Sequence, residues 1–491
     1  MIIGFYPDQL YDNYEHTLEQ IYNTMLETIP TNNSVALHIL PFQISCGDGG
    51  FAIDDWYQVD SAFGSWNDIE RFSKKWKVIV DGVFNHVGIN HKLVKDFLCN
   101  PIKYKDYFFT NQQTNLHSPR GQTADGIIKT SNGNVLVRQT HTPKAIDINL
   151  ENTGVILEIT NYIDFLKEKN IWGIRLDAVA YYKKGEHISH NQGSENLAKS
   201  IVDLVKEKEL QVFAQLDCDF NGLRYFDEAK YHDVSIYDFS YSAYLCSSLI
   251  TKNTVELCEY LNKKSLDHRI LIRAPRTHDG ILLRSGNLSI NCKNRIIEFA
   301  NRNGLKIRKA QNNIYEINCS LPYILKLISP KLSNNIIKMI IVFTGLLNSI
   351  PYFYYPFIQG YIPEQEYKAL HIPQRFENND PRTINRIPIS LNYSNSNQFH
   401  KVEIKRILSS LAGLYDTYEE ELLMGDSQYM SLGSCVKVST ANHKIQGIFN
   451  FSDKQQSLII NKKEVGQVLF DSRVNQSDTL NAYEFFVYLK N

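Results

Sequence analysis

The sequence predicts an α/β fold: a (β/α)8 TIM barrel with an inserted irregular domain and a C-terminal antiparallel β domain. Short apolar runs alternate with longer helical patterns over roughly 400 residues, which favours an eight-stranded barrel over a six-stranded open sheet. The apolar runs are continuous rather than strictly alternating, as in strands that helices cover on a parallel sheet. No G-x-G-x-x-G or G-x-x-x-x-G-K-[ST] follows a run, so a nucleotide-binding sheet has no support.

The predicted elements follow one another along the chain. Strands are predicted in SVALHILPF (34–42), KVIVDGVFNH (77–86), IWGIRLDAVA (171–180), QVFAQLDCDF (211–220) and HRILIRAPRTHDG (268–280). Helices are predicted in WNDIERFSKKW (66–76), GVILEITNYIDFLKEKN (154–170) and ENLAKSIVDLVKEKEL (195–210). Residues 336–355 are long enough to cross a membrane, but Lys338, Asn348 and Pro351 favour a buried helix, a turn and a strand.

Composition and spacing suggest the domain boundaries. Residues 88–150 lack the strand–helix alternation, residues 401–423 have a helical pattern, and the chain from 430 onward alternates as short strands. The predicted organisation is a first barrel part (1–87), a domain inserted after the third strand (88–150), a continued barrel (151–281), a second insertion (282–312), the barrel end (313–425) and a C-terminal β domain (426–491).

Charge and cysteine usage narrow the possible partners. The chain of 491 residues has 52 Lys and Arg against 53 Asp and Glu, which favours neither nucleic acid nor a membrane as a partner. The eight cysteines are scattered without C-x-x-C or Cys/His ligand spacing, so no metal and no cofactor are expected. Reduced thiols and an N-terminus without a signal-peptide pattern predict a cytoplasmic protein. A monomer or homodimer is expected.

Polar side chains cluster where three predicted strands end. Charged groups directly after apolar strand residues are costly unless they are paired or functional, and barrel active sites form at the carboxyl ends of strands. The side chains in question are Asp81, Asn85, His86, Arg175, Asp177, His278 and Asp279. Three such groups at successive strand ends predict a catalytic site.

The same segments carry a family resemblance. DGVFNH (81–86), GIRLDA (173–178) and THDG (277–280) resemble three of the four signature regions of the α-amylase superfamily, glycoside hydrolase family thirteen. Together with these, GDGGFAIDDWYQVDSAFGSWNDI (47–69), RLDAVAYYKK (175–184), IPYFYY (350–355) and PRTINR (381–386) resemble its sucrose phosphorylase-like branch. The resemblance extends to about residue 400.

The resemblance implies a retaining mechanism on an α-glucosyl unit of a small sugar substrate, an α-glucoside or a sugar phosphate. It implies that Asp177 is the nucleophile, that Arg175 keeps this carboxylate ionised and aimed, and that Asp279 stabilises the oxocarbenium-like transition state. The residues implied to bind the glucose are Asp48, Phe51, His86, Tyr181, His278 and Arg382.

The sequence departs from the family at the acid/base. Retaining chemistry needs a second carboxyl group as general acid, yet Gln215 occupies that position, and glutamine cannot donate a proton. Three hypotheses account for Gln215: an engineered substitution that traps a bound sugar, a natural enzyme whose leaving group needs little protonation, or a non-catalytic carbohydrate-binding relative. A shift of the acid role to Asp217 is a further hypothesis, although residues 215 and 217 differ by nearly 7 Å in height along a strand.

The acceptor side of the pocket departs as well. By the resemblance, His141 and Arg138 replace a family aromatic and a tryptophan, and Glu316 and Asn313 replace a loop glutamine and aspartate. Changes at several positions disfavour a single engineered mutation. The sequence therefore predicts a retaining α-glucosyl transferase, phosphorylase or glycosidase of the sucrose phosphorylase type with altered acid/base catalysis, and weak or no action on sucrose. The alternative is a non-catalytic protein that binds carbohydrate in the same pocket.

Overall fold

The computed structural model describes residues 1–11, 16–118, 122–216, 225–265, 270–283, 288–309, 315–365, 380–390, 398–457, 460, 462–473 and 478–491. Its centre is a closed barrel of eight parallel strands, in which each strand pairs with the next one along the chain and the last pairs with the first. The barrel strands are Ile2–Phe5, Ala36–Ile39, Lys77–Gly82, Gly173–Leu176, Gln211–Ala214, Ser235–Tyr237, Leu271–Arg273 and Ile350–Tyr354. The predicted barrel is confirmed.

Helices cover the barrel and connect its strands. The described α-helices are Thr17–Thr28, Trp66–Ser73, Lys92–Cys99, Thr153–Glu168, Ser194–Glu207, Phe239–Thr251, Val255–Ser265, Ile290–Arg302, Leu321–Ile328, Ser333–Gly345, Tyr355–Ile358, Thr383–Arg386 and Gln398–Met424. The helix Thr153–Glu168 shows why they form: the side chain of Asn152 caps its first turn by accepting from Gly154 N at 2.9 Å. Its buried side chains recur with helical spacing and so face the barrel.

The apolar segment 336–355 folds inside the protein. It forms the end of the helix Ser333–Gly345, a short turn and the last barrel strand, Ile350–Tyr354, which confirms the prediction for this segment. Within the described ranges, no helix is both long enough and apolar enough to cross a membrane.

Two groups of elements interrupt the barrel. After the third strand, His86–Gly88 pairs with Ala145–Asp147, and Asp125–Thr130 forms an antiparallel hairpin with Gly133–Arg138. After the seventh strand, Tyr315–Asn318 lies between Ile281–Leu283 and Lys306–Lys309 in a three-stranded antiparallel sheet. Both groups begin at the carboxyl ends of barrel strands, where the polar residues are gathered.

The last part of the chain forms the expected antiparallel β domain. Five strands pair in the spatial order Gln428–Leu432, Cys435–Thr440, Ile445–Asn450, Phe485–Lys490 and Val465–Asp471, and Gln456–Ser457 pairs with Thr479–Leu480. A further pair, Leu10–Tyr11 with Ile389–Ser390, ties the segment after the last barrel strand to the segment after the first. This pair places the PRTINR segment over the open end of the barrel.

Candidate active site

Arg175 is the centre of the candidate site. It lies on the fourth barrel strand, directly opposite Asp81 of the third strand, and its buried guanidinium forms an ion pair with Asp81. Its Nη1 also lies 2.9 Å from Asp177 Oδ1, and its Nη2 donates to Gln215 Oε1 at 2.7 Å. Burial lowers the pKa of Arg175, but the two carboxylates more than offset this, so its pKa lies well above its usual value. A permanently charged group therefore orients both predicted catalytic side chains.

Asp177 directly follows the fourth strand and is largely buried. Burial raises its pKa to about 6; Arg175 lowers the pKa, while the nearby carboxylates of Asp81, Asp279 and Asp48 raise it. The carboxylate is thus mostly ionised at neutral pH but protonates in mild acid. The sequence-based expectation that Arg175 aims this carboxylate fits the geometry, although Arg175 does not keep its pKa low.

Gln215 follows the fifth strand and is fixed by both its backbone and its side chain. Its N donates to Leu176 O at 2.9 Å, and its carbonyl accepts from Val179 N at 3.1 Å. Its side-chain Oε1 accepts from Arg175 and also from Ala178 N at 3.3 Å. Because both partners are obligatory donors, they determine which end of the amide is the oxygen. The Gln215 NH2 group therefore faces away from Arg175 and is available as a donor.

Asp279 follows the seventh strand, on the opposite side of the site. Its Oδ1 lies 2.7 Å from Arg386 Nη2 and 3.4 Å from Arg382 Nη1, and its Oδ2 lies 3.4 Å from His278 Nε2. Burial opposes ionisation, yet the guanidinium groups of Arg386 and Arg382 hold the pKa of Asp279 well below its usual value. This carboxylate is ionised throughout the range in which Asp177 titrates.

Asp48 joins this network through an unusual turn. Its Oδ1 accepts from Arg382 Nη2 at 3.0 Å, and its backbone oxygen accepts from Arg386 Nη1 at 3.2 Å. Asp48 has a left-handed φ of 56°, and the two glycines after it have φ values of 63° and 101°. The G-D-G-G sequence permits three successive left-handed residues, which an ordinary side chain at 49 or 50 would disfavour.

Aromatic rings form one wall of the site. Phe51 stacks on His278 with ring centroids 5.4 Å apart, and the ring of His141 lies 5.1 Å from His86 and 4.9 Å from Tyr181. The Nε2 of His86 lies 3.2 Å from the backbone oxygen of Phe51, which connects the two groups of rings. Burial lowers the pKa of His278 to about 3, so this ring is neutral.

The structure places one predicted binding residue apart from this cluster. Glu316 lies on Tyr315–Asn318, where its carboxylate accepts from Gly280 N at 2.9 Å and pairs with Arg308. Arg138 is buried at the end of its hairpin strand, three residues before His141. Asp217 and Asn313 lie outside the described residues.

Sequence reasoning missed some members of the cluster. Arg386 binds Asp279 and Asp48 directly, and Asp380 accepts from Arg382 Nη2 at 2.5 Å. The PRTINR motif contains the signal for Arg386, because residues four apart in a helix share one face. Arg382 directly precedes the short helix Thr383–Arg386, and Arg386 is its last residue. Among the described residues, no group of three or more His, Cys, Asp and Glu could hold a metal ion.

The closed parallel barrel, with carboxylates and arginines at its strand ends, defines the class of the protein. The family model "Alpha amylase, catalytic domain" matches residues 33–270. This match covers a little under half of the chain, and it confirms the resemblance to the α-amylase superfamily of enzymes that the sequence predicts.

Particular relatives are phosphorylases. The chain is 29% identical over 200 residues to a glucosylglycerate phosphorylase of Allomeiothermus silvanus, covering 40% of this chain and 36% of that one. It is 26% identical to a sucrose phosphorylase of Streptococcus mutans, covering 56% and 59%. The chain thus spans less than two thirds of these relatives. The crystal structure of a sucrose 6F-phosphate phosphorylase from Thermoanaerobacter thermosaccharolyticum superposes with a TM-score of 0.75 at 18% identity, covering 91% of this chain and 93% of that one, and so shares the fold.

Proposed function

We propose that this protein is a retaining α-glucosyl transferase, of the phosphorylase or glycosidase type, whose donors have leaving groups that need little protonation. The observation that carries the proposal is the shared guanidinium of Arg175, which holds Asp177 Oδ1 at 2.9 Å and Gln215 Oε1 at 2.7 Å. The nucleophile position thus holds a carboxylate that Arg175 orients, while the acid position holds a neutral amide that Arg175 also fixes. A phosphate leaving group fits this combination, because it departs as a stable anion.

Asp177 performs the covalent step in this proposal. An oxygen of its ionised carboxylate attacks the anomeric carbon, the bond to the leaving group breaks, and the leaving group keeps the bonding electron pair. The hydroxyl oxygen of an acceptor then attacks the same carbon and releases the Asp177 carboxylate, and the hydroxyl proton passes to the departed phosphate or to water. Two inversions retain the α configuration. Departure of phosphate, or attack by phosphate, therefore needs no proton from the protein, whereas an alcohol acceptor must lose its proton without help from Gln215.

Gln215 contributes a hydrogen bond rather than a proton. Its Oε1 is engaged by Arg175 and Ala178 N, so its NH2 group is the end that can meet an oxygen of the leaving group or acceptor. An amide N–H stabilises negative charge on that oxygen without titrating. For donors that expel an alkoxide, this hydrogen bond does not replace the missing general acid, because proton donation commonly accelerates such reactions by roughly 10²–10⁴-fold.

The remaining site residues hold the glucosyl unit. Asp279, kept ionised by Arg386, binds ring hydroxyls and stabilises positive charge at the anomeric carbon in the transition state. The ion pair of Asp48 with Arg382 binds the far edge of the sugar. The rings of Phe51, Tyr181, His86 and His278 form the wall against which the sugar packs.

The acceptor side supports a substrate other than sucrose. His141 lies against His86 and Tyr181, so a polar ring stands where the sucrose phosphorylase-like branch has an aromatic residue. Arg138 adds a buried positive charge three residues before it. The donor and acceptor in this proposal are a small α-glucoside or a sugar phosphate, with no nucleic-acid or membrane partner.

The test uses α-glucosyl fluoride, because fluoride leaves without an acid. Mass spectrometry of the intact protein after incubation should show one covalent glucosyl group, and digestion should locate it on the peptide that contains Asp177. Asp177→Asn is the matched control and should remain unlabelled. If the parent protein gains no adduct but still binds glucose in titration calorimetry, the non-catalytic carbohydrate-binding alternative is correct and the proposed transferase is wrong.

A further inference from the structure

The three-stranded sheet after the seventh barrel strand carries a buried carboxylate next to the candidate site. Glu316 is buried on the middle strand of the three-stranded sheet, opposite Leu282 on one side and Arg308 on the other. One oxygen of its carboxylate accepts from Gly280 N at 2.9 Å, and the other pairs with Arg308. Gly280 is the residue directly after Asp279.

We infer that Glu316 is a positioning residue: it anchors the backbone behind Asp279, and Arg308 neutralises the charge that this anchor brings into the protein. The inference rests on the function proposed above, because it assigns Glu316 a task for the same glucosyl site. It differs from the sequence-based expectation that Glu316 contacts the substrate, since both oxygens of its carboxylate are already engaged.

The close approach of Glu316 to the backbone requires glycine at position 280. A Cβ on residue 280 would lie 2.3 Å from Glu316 Cγ and 2.5 Å from its Oε1, far inside contact distance. The side chain of Glu316 therefore lies directly over the Gly280 backbone. A buried amide that lost this acceptor would be unsatisfied, so the segment would shift to find another partner.

A shift of this segment would reach the reacting centre. The Asp279 carboxylate makes its contacts with Arg386 and Arg382 at 2.7 and 3.4 Å, and the carbonyl of His278 accepts from Arg386 Nε at 3.4 Å. Misplacement of a stabilising charge by about 1 Å costs roughly 10²-fold in rate. Loss of the anchor should therefore slow glucosyl transfer more than it weakens the binding of glucose.

Four variants distinguish the loss of the hydrogen bond between Gly280 N and Glu316 from changes in the size and charge of the side chain at position 316. Glu316→Leu removes the acceptor, and Glu316→Asp keeps the charge but is one methylene too short to reach both Gly280 N and Arg308. The double variant Arg308→Met with Glu316→Gln keeps an amide oxygen for Gly280 N and removes the cation that would face the amide NH2 group. Arg302→Met serves as the control: it removes an exposed arginine of the neighbouring helix Ile290–Arg302, whose ion pair among the described residues is with surface Glu298.

The readouts are the rate of adduct formation with α-glucosyl fluoride, the affinity for glucose, and hydrogen exchange of a peptide covering residues 277–283. Glu316→Leu and Glu316→Asp should label roughly tenfold to hundredfold more slowly, with glucose affinity within about threefold of the parent and with faster exchange at this peptide. The double variant should recover most of the lost rate and slow exchange, and Arg302→Met should match the parent. Because Glu316→Asp keeps a negative charge next to Arg308, it tests the loss of the Gly280 hydrogen bond if Glu316→Leu does not fold.

Parent-like labelling and exchange in both single variants would overturn the inference, and so would a double variant as slow as Glu316→Leu. If the parent itself forms no adduct, the proposed function fails separately. Hydrogen exchange then decides the anchor alone: faster exchange in Glu316→Leu and Glu316→Asp supports it, and unchanged exchange refutes it.

Discussion

Replacing Gln215 with glutamate should restore acid catalysis at a position that the structure already prepares for it. In Gln215→Glu, one carboxyl oxygen can keep the contacts of the present Oε1 with Arg175 Nη2 at 2.7 Å and Ala178 N at 3.3 Å. The second oxygen then takes the place of the amide nitrogen and can carry a proton. General acid catalysis is commonly worth roughly 10²–10⁴-fold, or about 3–5 kcal/mol of barrier.

The gain should depend on the leaving group. For an alkyl α-glucoside, which expels an alkoxide, kcat/KM of Gln215→Glu should rise by roughly 10²–10⁴-fold over the parent. For α-glucosyl fluoride it should change little, because fluoride needs no proton. A third carboxyl group on Arg175 also competes with Asp177 for the same guanidinium, so the pKa of Asp177 should rise above its present value of about 6.

The pH dependence provides an independent check. The parent should show only an acid limb, because Asp177 must be ionised and glutamine does not titrate. Gln215→Glu should add an alkaline limb, because the new carboxyl group must be protonated to act. An equal change on both donors would contradict the acid role of position 215. If Gln215→Glu changes the rate with neither donor while Asp217→Asn removes activity, the proton comes from Asp217 and Gln215 does not occupy the acid position.

Asp177→Asn should abolish the adduct with α-glucosyl fluoride while leaving the melting temperature near that of the parent; persistent labelling would remove Asp177 from its proposed role. The parent's labelling rate should be flat above pH 7 and fall about tenfold per unit well below pH 6, since protonation of Asp177, whose pKa is about 6, removes the nucleophile. A profile flat down to pH 4 would contradict this. Arg386→Lys should slow labelling by roughly tenfold or more, because a point charge replaces the guanidinium that binds both Asp279 and the Asp48 carbonyl. Phosphate-dependent cleavage of sucrose should be weak or absent in the parent and in Gln215→Glu alike; robust release of fructose would contradict the altered acceptor side.

The barrel could be predicted because its signal is local. Each long apolar run with a helical pattern beside it encodes a strand and its crossover helix, and the polar residues that end the runs indicate the functional edge. The sequence predicts no strand at the sixth position, Ser235–Tyr237, because the run VSIY (234–237) is short and is bounded by Asp233 and Asp238. Its place in the barrel comes from pairing with the strands on either side.

The position of a site residue could be predicted where the residue follows a barrel strand. It could not be predicted where the pairing of strands distant in sequence sets the position. Asp177 directly follows the fourth barrel strand and Asp279 lies in the loop after the seventh, so their convergence at the carboxyl ends of the strands follows from the fold. The orientation of Glu316 depends on the antiparallel register that sets it opposite Leu282 and Arg308, which the sequence does not encode in any local pattern. The raised pKa of Asp177 likewise reflects burial among other carboxylates, a property of the assembled site.

The contact between Asp48 and Arg382 spans 334 residues of chain, and this separation has a consequence for how the protein acquires its activity. Contacts between distant residues form late, because the intervening chain must be ordered before the ends can meet. During synthesis, the strained turn around Asp48 emerges long before its arginine partner is made. The glucose pocket should therefore be among the last features to form during refolding, so catalytic labelling should lag behind the recovery of secondary structure.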